Sequence, residues 1–168
     1  VFIGGLRPHE TPMLGRVSAT DFNVMQDVQA AEVVFTSEVP LTLLPFELTS
    51  QVWLDGDDLN LLAQGPAALQ WLAKKSRQWI CNWRYLFGAH RGFIPFDTLA
   101  IGYLTHPDWF ETSTVDATFS RKSGIRYGAR DQTSKSRKIR ISNNFVANKS
   151  PEDFRELIHQ RITPLRNK

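Results

Sequence analysis

The stretch Val1-Phe2-Ile3-Gly4-Gly5 runs an apolar strand straight into a glycine turn, and Leu41-Thr42-Leu43-Leu44 has the length of a second, buried strand. Between them, Leu6 to Thr20 holds Pro8, Pro12 and Gly15 and reads as a loop, closed by Asp21-Phe22-Asn23. Met25 to Thr36 places Val28, Ala31, Val34 and Phe35 three or four residues apart, the spacing of a helix that Pro40 breaks. Strand, loop, helix and strand make a βαβ unit, whose crossover sets the two strands parallel. The fold class is therefore α/β, an open and mainly parallel sheet flanked by helices.

Working outward, Pro66 starts a long helix to about Phe87, with Leu69, Leu72, Trp79, Ile80, Trp83 and Phe87 on its apolar face. A shorter helix is expected over Leu59 to Ala63. Val115 to Ser120 and Lys138 to Ser142 alternate like strands and are expected to pair. A final helix starts at Ser150 as N-cap, with Pro151 in its first position and Phe154, Leu157, Ile158 and Ile162 on one face. A chain of 168 residues that is 42% hydrophobic can bury a real core, and no linker divides it, so residues 1–168 read as a single domain. A strand at the first residue is unusual, because termini lie at surfaces; we expect these residues to be the later part of a larger domain.

One cysteine, Cys81, excludes an internal disulfide and fits a reducing compartment, so we expect a soluble, cytoplasmic protein without a membrane partner. Four dispersed histidines and that cysteine do not form a zinc site. Phosphate loops and nucleophile elbows are absent as well. Net charge is +3, yet Arg121 to Arg140 gathers eight Lys or Arg residues against one Asp. Such a segment could meet nucleic acid; with Tyr127 its sole aromatic residue, a solvated strand pair or loop is the better reading.

Gly92 to Leu104 carries the chemistry. Asp97 follows Pro95 at the mouth of an apolar helix anchored by Leu99, Ala100, Tyr103 and Leu104. Free N–H groups and the positive dipole end keep a carboxylate ionised there. Alone, Asp97 reads as a helix cap. Asp21 and Asn23, however, stand in the loop between the first strand and its helix, where open α/β sheets bind ligands. The three can face one crevice, and their oxygens and amide suit a polyol such as a sugar, or a hard cation such as calcium.

Four motifs in order then resemble the inosine–uridine type nucleoside hydrolases. Ile3-Gly4-Gly5 with Ala19-Thr20-Asp21-Phe22-Asn23 and Asp27-Val28-Gln29-Ala30-Ala31 is similar to a Gly-Gly strand, Ala-Glu-Phe-Asn and Asp-Pro-Glu-Ala-Ala. Val39-Pro40-Leu41-Thr42-Leu43-Leu44-Pro45 with Thr49 resembles the family's next strand. Phe96-Asp97-Thr98-Leu99-Ala100 stands for His-Asp-Pro-Leu-Ala, and Thr105 to Phe110 for its Asp-Pro segment.

The resemblance implies a Rossmann-like sheet and hydrolysis of a ribonucleoside's N-glycosidic bond by calcium-activated water. Asp97 would ligate calcium and touch the ribose diol, Asn23 would bind ribose hydroxyls, and Asp21, replacing a Glu, would reach toward the 5′-hydroxyl. Arg84, Tyr85 and His90 precede Asp97 at the distance where the family places base-contacting side chains; Trp83, on the apolar stripe, reads as core. The family's N-terminal acidic motif, Asp-x-Asp-x-x-x-Asp-Asp, is missing, and with it the general base. Asp55-Gly56-Asp57-Asp58 reads instead as a turn that starts a helix. Phe96 replaces the histidine that protonates the leaving base in one branch, and Gly15 or Arg16 stands where the family has an Asn. The chain thus matches the C-terminal half alone, with no catalytic residue of its own. The implied partners are a nucleoside or other ribosyl compound and an N-terminal half or companion chain, with a homo-oligomer allowed. The alternative is a degenerate, non-catalytic member that binds a nucleoside or a protein.

Overall fold

Two apolar residues, β1 (Phe2–Ile3), open the chain and lie parallel to β4 (Thr42–Leu44), with Phe2 opposite Leu43 and Ile3 opposite Leu44. The structure is a computed structural model and describes residues 1–9, the backbone of 13, 14, 17 and 18, and residues 21–88, 90–128 and 135–162. Gly15 and Arg16 lie outside the described residues. The segment expected to be a loop contains a short antiparallel pair, β2 (Met13–Leu14) and β3 (Val17–Ser18).

The single helix expected over Met25 to Thr36 is two, α1 (Phe22–Gln26) and α2 (Val28–Thr36). Asp27 divides them: its backbone leaves the helical region (φ −146°, ψ 85°), and its Oδ1 accepts the Ala30 N–H at 2.9 Å. An N-cap carboxylate satisfies a donor that would otherwise be free, which outweighs continuing the helix. Asp27→Ala should therefore cost about 1 kcal/mol, read as a lower urea midpoint with unchanged slope; an unchanged midpoint would contradict the capping role.

Three further strands extend the sheet: β5 (Phe110–Ser120), β6 (Gly124–Tyr127) and β7 (Lys135–Phe145). Their order is β1-β4-β7-β5-β6, parallel across β1, β4 and β7 and antiparallel across β7, β5 and β6. The expected pairing of the two alternating segments holds, with Val115 opposite Ile139. Beyond β1, the chain leaves β4 and joins β6: Leu6 N–H donates to Ile125 O at 3.0 Å, and Tyr127 N–H to Leu6 O at 3.1 Å. The sheet thus curls on itself instead of lying open. Gly5 makes this swing (φ +88°), and a Cβ there would stand 2.8 Å from Leu43 Cδ1.

One core layer lies under α2, where Val24, Phe35, Leu43, Phe119, Ile125 and Ile141 are buried together. The opposite layer joins Leu44, Leu99, Phe110, Phe145 and Phe154 beneath α6 (Phe96–Thr105) and α7 (Pro151–Ile162). Between β4 and α6 come α3 (Phe46–Thr49), α4 (Gly56–Leu62) and α5 (Ala67–Phe87). α5 buries Ala73 and Trp83, whereas Leu72 and Trp79 of its expected apolar face are exposed. Leu104 of α6 is exposed too, and Gly102 packs against the Phe154 ring in its stead. The acidic turn behaves as expected: Asp55 and Asp58 form a capping box that starts α4. Asp58 is also buried, where Arg155 Nε (2.8 Å) and His159 Nε2 (2.6 Å) hold it and tie α7 to α4.

The basic segment finds partners within the chain. Arg121 and Lys135 pair with Glu32 at 2.8 and 2.7 Å, and Arg137 donates to the carbonyl of Phe35 in the last turn of α2 and to those of Ser37 and Val39 just beyond it. These contacts complement the negative end of a helix.

Candidate functional site

Parallel strands deliver their C-terminal ends to one edge of a sheet, and the loops that follow them hold polar side chains there. Here β1 leads through Gly4 and Gly5, and β4 leads through Pro45 into α3. Asn23, in the first turn of α1, donates from Nδ2 to the Ile3 carbonyl at 2.8 Å. Its side chain is exposed, and its Oδ1 has no hydrogen-bond partner among the described residues. The amide is held at one end and offers an acceptor at the other.

Asp97 reaches the same edge from α6. The preceding ring, Phe96, packs 6.3 Å from Phe46, the residue one past Pro45 at the end of β4, and 6.1 Å from Trp83. Leu99 lies in the core cluster that also packs Ile3 and Leu44. The mouth of α6 is fixed from behind by an antiparallel bridge between Leu54 and Phe93. Gly92 permits it, since a Cβ there would sit 2.0 Å from the Leu54 carbonyl oxygen. Asp97 itself is exposed in the first turn and makes no hydrogen bond or ion pair among the described residues. A carboxylate so placed benefits from the helix dipole and stays available to a ligand.

Asp21 differs from these two. It is 6% exposed, and its Oδ2 accepts the Gly5 N–H at 2.9 Å. Burial pushes the carboxyl above the ordinary aspartate value, against the pull of the backbone N–H groups of Gly5, Ile125 and Val24 and of the Arg126 charge. A raised folded value means that the folded protein holds this proton more tightly than the unfolded chain. The carboxyl therefore favours folding below the ordinary aspartate value of about 4, and this contribution is lost as pH rises through the raised value. Relative to Asp21→Asn, which does not titrate, the wild type should gain stability as pH falls through that window. Paired urea melts at about pH 7 and about pH 4 read it; a difference between the two proteins that is the same at both would contradict it.

Arg84, Tyr85 and His90 lie at and beyond the C-terminal end of α5, and all three are exposed, Tyr85 at 89%. The ring contacts of Trp83 with Phe87 (5.1 Å) and Phe96 bring this end of α5 beside the mouth of α6, and Trp83 is core as read. The three side chains themselves do not converge on a common described partner.

A further group at the same edge was not legible in the sequence. Glu47, in α3, accepts from Arg7 Nε at 2.8 Å and from the Tyr127 hydroxyl, while its Oε2 is buried without a partner among the described residues. Burial and the Glu47 carboxylate push the Tyr127 hydroxyl well above the ordinary tyrosine value. These residues are far apart in sequence and come together only because Leu6 crosses to β6; no local pattern announces them.

Among the described residues, no group of three or more His, Cys, Asp or Glu side chains could hold a metal. Calcium takes about six to eight oxygens, and Asp97 supplies one carboxylate. The described residues do not by themselves fit a calcium ion. No helix among the described residues is long and apolar enough to cross a membrane.

Known proteins share this fold. The chain is 30% identical over 112 residues to a pyrimidine-specific ribonucleoside hydrolase, RihB, of Shigella flexneri serotype 5b, covering 66% of this chain and 35% of that protein. RihB of Escherichia coli O1:K1 is 31% identical over the same length and the same shares. Among solved structures, a purine-preferring ribonucleoside hydrolase from Gardnerella vaginalis superposes with a TM-score of 0.75 at 19% identity, over 97% of this chain and 51% of that one. The plant nucleoside hydrolase PpNRh1 gives 0.76 at 17%, over 95% and 52%. These two likenesses establish the fold, and the chain spans about half the length of the enzymes concerned. The model of the inosine-uridine preferring nucleoside hydrolases matches residues 1–153, and the chain belongs to that family.

Proposed function

We propose that this chain supplies part of the ribose site of a nucleoside N-ribohydrolase, an enzyme that splits the N-glycosidic bond of a ribonucleoside and so frees its base for salvage. One observation carries the reading: Asn23 and Asp97, the two matching family positions, stand exposed and uncommitted at the edge where β1 and β4 end. Asn23 Oδ1 would accept a ribosyl hydroxyl while its Nδ2 stays on Ile3. The Asp97 carboxylate, in the first turn of α6, would accept from the ribose diol. Calcium, the metal that the resemblance implies, would take Asp97 as one ligand and its remaining oxygens from a complementary N-terminal half or companion chain. That partner would also bring the general base. Hydroxyl contacts of this kind favour a ring flattened toward an oxocarbenium-like transition state.

Phe96 supports a second reading, a nucleoside binder without catalysis. Its ring packs against Phe46 and Trp83 at the position of a family histidine, so this side chain cannot donate a proton to a leaving base. Ribose release from inosine and uridine, with added calcium or with a chelator, separates the two readings. The chain would be assayed alone and co-expressed with an N-terminal half that carries the acidic motif. Calcium-dependent release in the co-expressed sample alone is the expected result. Saturable nucleoside binding without release from either sample would favour the second reading, and neither binding nor release would refute both.

A further inference from the structure

We propose that Asp21 is a positioning residue, which locks the Gly4–Gly5 turn and through it sets Asn23 against the ribosyl ring, and is not itself a ligand of the substrate. The inference rests on the reading of Asn23 given above and departs from the role that the resemblance would hand to Asp21. An acidic ligand of a 5′-hydroxyl must present an oxygen to the crevice. Asp21 instead turns inward, with Oδ2 on the Gly5 N–H at 2.9 Å. Its other oxygen lies 2.7 Å from where a Cβ on Gly4 would stand, and its Cβ lies 3.2 Å from where one on Gly124 would stand. Two glycines thus leave room for this one side chain, and the fit suits the shorter Asp.

Two residues on, Asn23 holds the carbonyl of Ile3, the last residue of β1. Asp21 and Asn23 therefore grip adjoining parts of one turn, Asp21 by its N–H and Asn23 by the carbonyl before it. Met25 N–H donates to Asp21 O at 2.9 Å and joins the two positions through the first turn of α1. Releasing Gly5 frees the turn, and with it the carbonyl that orients Asn23. Val24, the residue after Asn23, is fully buried and keeps the local fold anchored in the core when the carboxylate is removed.

The test compares Asp21→Ala and the size-matched Asp21→Asn with the wild type, first as samples co-expressed with the N-terminal half, on a ribonucleoside and its 5′-deoxy analogue. A positioning role predicts that each variant loses kcat/KM by the same factor on both substrates, within about twofold. A ligand role predicts a loss confined to the substrate that has the 5′-hydroxyl, and would overturn the proposal. The second arm needs no turnover: amide exchange at Gly5 and the side-chain amide resonances of Asn23, followed by NMR in the full chain. Asp21→Ala should speed Gly5 exchange at least about tenfold and move the Asn23 amide signals toward those of a free side chain. Unchanged Gly5 exchange or unmoved Asn23 signals would overturn the proposal. Should Asp21→Ala fail to fold, Asp21→Asn is read in the same way. If the co-expressed wild type releases no ribose from either nucleoside, the proposed function fails, while the NMR arm still decides the role of Asp21.

Discussion

In the sample co-expressed with an N-terminal half, Asp97→Asn is expected to lower ribose release by at least about a hundredfold and to leave the fold intact. The first half of this expectation follows from charge: a ligand that must accept from a diol or bind a cation loses its function when one oxygen becomes an amide. The second half follows from geometry. Asp97 is exposed and has no partner among the described residues, so folding loses little more than a favourable charge at a helix N-terminus, worth about 1 kcal/mol or less. Ribose assays and thermal melts on the same preparations measure both halves. Full activity would remove Asp97 from the site, and a collapse of stability would make it a structural cap after all.

The largest effect on stability is expected at Phe154. Its ring is buried between those of Phe110 (6.2 Å) and Phe145 (6.1 Å) and lies against Gly102, where an added Cβ would come within 2.1 Å of it. It joins α7 to α6 and to the strands that carry Phe110 and Phe145. Phe154→Ala should cost about 3–5 kcal/mol, the transfer energy of the ring plus the cavity it leaves. At this chain length that lowers the melting temperature by roughly 10 °C. A shift of only a degree or two would mean that α7 does not hold the second core layer together.

Local pattern made half of this fold readable. β1 and β4 are short apolar runs separated by a helical spacing, and a crossover of that kind can hardly be anything but parallel. Ser150 and Pro151 announced α7, and Asp153 completes the cap by accepting from the Ser150 N–H at 2.8 Å. What escaped was decided by non-local contacts. Asp27 split a helix because a carboxylate could cap it, and apolar periodicity does not register that competition. The exposed faces of Trp79 and Leu72 follow a pattern that assumed a neighbour for α5. β6 lay hidden in the basic segment because Arg126 sits between buried Ile125 and Tyr127.

The candidate site was legible in the same uneven way. Motif order pointed to Asn23 and Asp97, and both side chains are exposed. It also pointed to Asp21, but only the structure turns that carboxyl inward, since burial depends on the Gly4–Gly5 turn and on Gly124, which are far apart in the chain. Glu47, Arg7 and Tyr127 meet only through the curl of the sheet.

The claim that the ends of β1 and β4 receive a ribosyl group is tested most directly by titrating the labelled chain with a ribonucleoside and following the Asn23 side-chain amide together with the Asp97 backbone amide. The account predicts that both resonances move along one saturable curve, and that the free base moves neither. Movement of neither signal at saturating nucleoside, or of signals around Tyr85 and Trp79 alone, would contradict it.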